Sequence, residues 1–190
     1  MFRYATAAAI SCAALAAPAF AQDDPPNLVQ GIHTNAFGKA FPTEIEDLQS
    51  QTLETNPAEG SVYAVYGNED DTRNIKIRVL PLPPDGIAGT LERSMEYYGG
   101  RSEIDPVSAS HESPQGHPMD CFATRKGELG YNICLAEVSG RGVRLQMGAV
   151  VDAAADSLPA DITERDLNLA GLFVDALAEI DGEKTEEPPR

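Results

Sequence analysis

The chain has 190 residues, 42% of them apolar and 23% charged, with 16 Gly and 14 Pro, a balance that excludes collagen-like, coiled-coil and wholly disordered chains and suits one packed domain. It sets 30 Asp and Glu against 14 Lys and Arg, for a formal net charge of −16. Its longest basic cluster is the pair Arg125-Lys126, so phosphate backbones and anionic headgroups are repelled and no nucleic-acid partner is expected.

In chain order, the first expected element is a cleaved signal peptide over 1–21. Arg3 forms the n-region, residues 4–16 a short apolar run, and Ala19-Phe20-Ala21 an A-x-A cleavage site. That run is too short for the roughly 20 residues that span a bilayer, and no later stretch is longer, so no transmembrane segment is expected and the protein should be periplasmic or secreted. Residues 22–26 and 183–190 are polar and Pro-bearing and predict disordered tails around a single α+β domain over 27–182.

Thr43 followed by Glu46 forms a capping box and predicts a short helix over 44–53. Residues 61–66 and 74–80 alternate, with Ile75, Ile77 and Val79 on one face and Lys76 and Arg78 on the other, and predict a hairpin across the acidic loop 67–73. Asp85 can cap a helix whose Ile87, Leu91, Met95 and Tyr98 share one stripe, stopped at Gly99-Gly100. Leu169, Phe173, Leu177 and Ile180 repeat that spacing in a helix started by Asp161 or Thr163 and ended by Gly182.

Between the helices, 118–151 predicts a three-stranded meander. A two-residue turn at Gly127-Glu128 sets Cys121 opposite Cys134, and one at Gly140-Arg141 sets Glu137 opposite Arg144. Unlike charges in the second pairing favour that register. Met119, Cys121, Ala123, Cys134, Ala136, Val138, Val143, Leu145, Met147 and Ala149 then share a face for the two helices to cover. The expected fold is an antiparallel sheet of about five strands with two amphipathic helices packed on one face. Its order, ββαβββα, resembles that of PsbP-like sandwiches in element order alone, a resemblance that implies no activity.

With Cys12 leaving in the signal peptide, Cys121 and Cys134 are the remaining pair, and export together with the register predicts a disulfide between them. The segment 111–121 crowds His111, His117 and Asp120 with a thioether and a thiol, a donor set that suits zinc or copper. Gln115 stands where an H-E-x-x-H motif needs its second histidine. The second sheet face gathers Phe122, Tyr131, Ile133 and Leu135, an apolar patch that either lies beneath the N-terminal segment 27–41 or meets a partner. No nucleophile elbow or phosphate-cradling loop occurs in the sequence. The expected function is therefore an exported non-catalytic binding or interaction domain of the cell envelope, its partner a protein or small ligand, with no cofactor. The alternative is a small metal-binding protein or hydrolase that uses His111 to Cys121.

Overall fold

The computed structural model describes residues 26–180. The expected signal peptide, residues 22–25 of the first tail, the Gly182 helix stop and the tail 183–190 lie outside them.

Two layers of helix sandwich one long sheet. A small ribbon, β1 (Leu28–Val29) with β2 (Ile32–His33), leads into α1 (Thr34–Ala40). Four strands follow as a meander: β3 (Glu44–Ile45), β4 (Leu48–Asn56), β5 (Ser61–Gly67) and β6 (Arg73–Pro81). Helix α2 (Gly86–Gly99) then crosses to a second meander, β7 (Ser108–Glu112), β8 (Pro118–Lys126), β9 (Leu129–Val138) and β10 (Arg141–Val150), and α3 (Ala160–Ala178) closes the described chain. The two meanders join along β6 and β10 into one antiparallel sheet of eight strands in the order β3-β4-β5-β6-β10-β9-β8-β7.

Eight strands and three helices replace the expected five and two, and strand outweighs helix. The order ββαβββα does not survive, because β7 stands between α2 and β8 and four further strands precede β5. The helix expected over 44–53 is instead the β3–β4 hairpin, where Ile45 pairs with Leu48 across a two-residue turn whose Glu46 has φ 50°. Of β4 only Leu48 is buried, so the segment has no apolar stripe to hold a helix down, and it satisfies its backbone along β5. Arg73 fastens the turn to β6, 2.5 Å from Asp47 and 3.7 Å from Glu46.

Period-2 patterning decides the rest of the sheet. Val62, Ala64 and Tyr66, Ile75, Ile77 and Val79, and Val143, Leu145 and Met147 all point to one face, where they meet Leu169, Ala170, Phe173, Val174 and Leu177 of α3 and Phe37 of α1. Tyr66 and Phe173 pack edge to face at 5.1 Å, and the Tyr66 hydroxyl donates to the Pro42 carbonyl. This is the main core.

The first β8–β9 pairing has the expected register, Cys121 opposite Cys134, with their Cα atoms 4.1 Å and their Sγ atoms 2.11 Å apart, at disulfide distance. The second pairing is displaced. Ser139 (φ 50°) and Gly140 (φ 72°) both take the left-handed conformation and close the turn, so Val138 pairs with Arg141 and Arg144 faces Leu135, not Glu137. A shift of two residues keeps every side chain on its face, which is why the core pattern holds although the ion pair does not form.

Helix α2 takes the opposite face from α1 and α3. Tyr98 packs at 6.1 Å from Phe122 on β8 and donates to Gln146 on β10, both outward-facing positions. The residues Phe122, Ile133 and Leu135 are therefore buried at 3%, 0% and 1% exposure. The expectation that segment 27–41 covers this patch, or that a partner does, is corrected: segment 27–41 packs on the core face, and α2 lies over β8 and β9. None of α2 is itself fully buried.

Candidate functional site

Beside α2, the outer face of the sheet is open, and its exposed positions can be read directly from the registers. Tyr63 pairs with Arg78, and Arg78 with Arg144; one step along, Val65 pairs with Lys76, and Lys76 with Gln146. These side chains, with Tyr97 and Tyr98 from the end of α2, line a groove of about 380 Å³. The aromatic walls are held in place: Tyr97 and Tyr98 meet edge to face at 5.0 Å, and the Arg101 guanidinium lies 4.0 Å over the Tyr97 ring.

The electrostatics run against the rest of the molecule. Arg78 and Arg144 are cross-strand neighbours of like charge, an arrangement that destabilises a sheet unless something offsets it. Among the described residues four arginines, Arg73, Arg93, Arg125 and Arg165, lie within 4.0 Å of a carboxylate. Lys76, Arg78 and Arg144 are not among them, although residues 26–180 contain 24 Asp and Glu. Arg144 instead donates Nη2 to the Tyr98 hydroxyl and, at 3.2 Å, to Gln146 Oε1. Arg78 rests its guanidinium 5.3 Å from the centre of the Tyr63 ring. Neutral acceptors and π faces orient these cations without cancelling their charge. A neighbouring hollow shares Tyr63 and Arg78 and is bounded by Glu54 and Glu59, which mark where the positive surface stops.

A second hollow adjoins the groove at Arg144. It is a slot of about 270 Å³ between α2 and the sheet, walled by the side chains of Leu80, Pro83, Ile87 and Leu135. Gly142 forms part of its floor; a Cβ there would meet the Leu82 and Ile87 side chains at 3.6 and 4.0 Å, so the missing side chain, not a backbone constraint, keeps the slot open. Arg93 reaches its rim but pairs with Asp85, whose carboxyl that guanidinium holds below its ordinary range.

The segment singled out in the sequence is built for a different purpose. Residues 108–126 form the β7–β8 hairpin, in which His111 pairs with Met119 on the core-facing side while Asp120, paired with Ser110, faces the other way and accepts its hydroxyl at 2.7 Å. His111 and Asp120 thus point to opposite faces of the hairpin. Among the described residues no three His, Cys, Asp or Glu side chains are grouped to hold a metal ion. The turn is instead tied to α3: Ser113 donates to Asp175, the Gln115 amide donates to the same carboxylate at 3.2 Å, and the His117 amide donates to Ser113 Oγ at 3.0 Å. Gly171 permits this approach, since a Cβ would lie 2.7 Å from Pro114. Of the expected partner patch, Tyr131 alone is partly exposed, and Phe122, Ile133 and Leu135 support α2 from below.

None of the groove residues stood out as a site in the sequence. The signal was there in part, as Lys76 and Arg78 two apart on the polar face of a strand in a cation-poor chain. Joining them to Arg144 needs the β6·β10 pairing, between strands far apart in sequence, and the register that separates Arg144 from Glu137.

The described residues contain no helix long and apolar enough to cross a membrane. The chain matches no protein-family model and no curated protein.

Proposed function

We propose that this protein is an exported, non-catalytic binding domain of the cell envelope, and that it takes a small anionic ligand in the tyrosine-lined groove beside α2. The observation that carries this reading is the opposed pair Arg78 and Arg144, with Lys76 beside it, none of them within 4.0 Å of a carboxylate among the described residues, in a chain of net charge −16. Such a cluster costs folding stability when empty and is offset when an anion sits between the cations. The groove's volume lies within the range of small-molecule sites, and its phenols and amide supply orienting hydrogen bonds. Its lining includes no carboxylate, imidazole or thiol, so the groups gathered there favour retention of a ligand over proton transfer or nucleophilic attack. The cysteine pair at disulfide distance suits an oxidising compartment outside the cytoplasm.

Thermal unfolding of the mature chain against matched anionic and neutral compounds tests the reading, because a ligand that binds only the folded state raises Tm. Carboxylates, phosphates and sulfonates should raise Tm at low ionic strength where their neutral analogues do not, and the double variant Arg78→Ala/Arg144→Ala should lose the effect. An equal shift in that variant, or none with any anion, would discard the groove as the binding site.

A further inference from the structure

We infer that the ligand is an amphiphilic anion, a single acyl chain of medium length ending in a carboxylate or phosphate head. The inference rests on the reading of the groove as a binding site and adds what occupies the slot next to it.

The two hollows are not independent. Arg144 lines both, so a head group held by Arg78 and Arg144 stands at the mouth of the apolar slot. The slot's walls are the side chains of Leu80, Pro83, Ile87 and Leu135, and the one further charge at its rim, Arg93, is engaged by Asp85. Four of its features suit an aliphatic chain more than a second polar group. Its lining is predominantly apolar, and Leu80 is left 42% exposed on a strand whose neighbouring outward residues are charged. Gly142 removes a side chain from the floor at a strand position where glycine weakens the sheet. The covering helix α2 presents Ile87, Leu91 and Met95 to the sheet without burying any of them fully, so apolar surface remains for a ligand to cover. At about 270 Å³ the slot lies just under the roughly 300–1,000 Å³ of ordinary ligand sites, which limits the chain to medium length. Charge complementarity selects the head. An acidic protein repels anions in general, whereas this groove gathers three cations that no carboxylate among the described residues engages.

Isothermal titration of the mature protein with butanoate, hexanoate, octanoate and decanoate, all below their micellar concentrations, tests the inference. Each methylene that enters the slot should tighten binding about fourfold until the slot is full. Decan-1-ol should bind at least tenfold more weakly than decanoate, and comparison of decanoate with decyl phosphate identifies the preferred head. In Gly142→Leu, which fills the floor, and in Leu80→Gln, which changes an exposed side chain and leaves the strand intact, the dependence on chain length should flatten while butanoate still binds. If affinity is the same from butanoate to decanoate in the wild-type protein, the acyl inference fails and the anion site stands. If no member of the series binds and simple anions leave Tm unchanged, the groove reading fails with it.

Discussion

Arg78 and Arg144 face one another across the β6·β10 ladder, and among the described residues no carboxylate lies within 4.0 Å of either. Opposed like charges cost a sheet a few tenths to about 1 kcal/mol, and the Tyr63 ring returns part of this to Arg78. Replacing Arg78 by threonine removes the repulsion and keeps a residue that favours strands. Arg78→Thr should therefore raise the stability of the ligand-free protein in urea at low salt by a few tenths of a kcal/mol, and the gain should shrink as salt screens the exposed pair. A loss of stability under the same conditions would show that the pair carries no cost. Tyr66 is the opposite kind of residue, a buried phenol whose burial raises its pKa from the ordinary 10.0 to about 12. Folding holds it neutral while the unfolded chain ionises, so its contribution is complete below pH 10 and is lost as pH rises towards 12. In Tyr66→Phe that alkaline loss should be shallower, as followed by circular dichroism, although the variant starts from lower stability because the bond to Pro42 is gone.

At the scale of elements, the N-terminal ribbon and α1 depend on one side chain. Arg141 is fully buried at the start of β10 and donates to the carbonyls of Gly60, Pro26 and Asn27 and to Thr34 Oγ1, with its guanidinium 5.1 Å from the Phe37 ring. Burial pushes its pKa down, yet three carbonyls and a hydroxyl replace the water it has lost. Arg141→Met keeps the volume and strands those acceptors, and should cost about 3 kcal/mol in chemical denaturation, with protection from proteolysis lost first in residues 27–41. Unchanged stability would mean that the ribbon is held by its apolar contacts alone. Elements with a clear period were legible in the sequence: β5, β6, the β8–β9 register, and helices α2 and α3 all repeat apolar residues at spacings of 2 or 3.6. Those without one were not. Strand β4 carries a single buried residue, β7 is short and lies at an edge, and α1 has seven residues whose position is decided by Arg141. The capping box at Thr43 and Glu46 misled because a turn between strands can carry the same residues as a helix start.

For the molecule as a whole, the sequence exposed both sheet faces, but the expectation that both helices cover the same one is corrected by α2, which lies on the other. The outer patch of Phe122, Ile133 and Leu135 was visible as apolar, and an amphipathic helix was visible at 86–99, but nothing local assigned that helix to that face. The choice follows from the crossover: α2 leaves β6 and returns to β7 at the far edge, so it spans the sheet on one side while α1 and α3 occupy the other. The groove lies where α2 stops covering the sheet, and its cations come from two strands, Arg78 and Arg144 standing more than sixty positions apart in sequence. A site of that kind cannot be found from spacing within one segment.

The seam between β6 and β10 has a kinetic consequence. Each meander consists of consecutive strands and can assemble through short turns, whereas their union closes the longest loop in the sheet. Docking of the two halves should therefore be the slow step of folding, and each half exposes an unpaired strand edge until it occurs. Arg78 belongs to one half and Arg144 to the other, so the cation pair of the proposed site is assembled only in that final event. In stopped-flow refolding, backbone dichroism should recover first, and the anion binding proposed for the groove should return with the slowest phase.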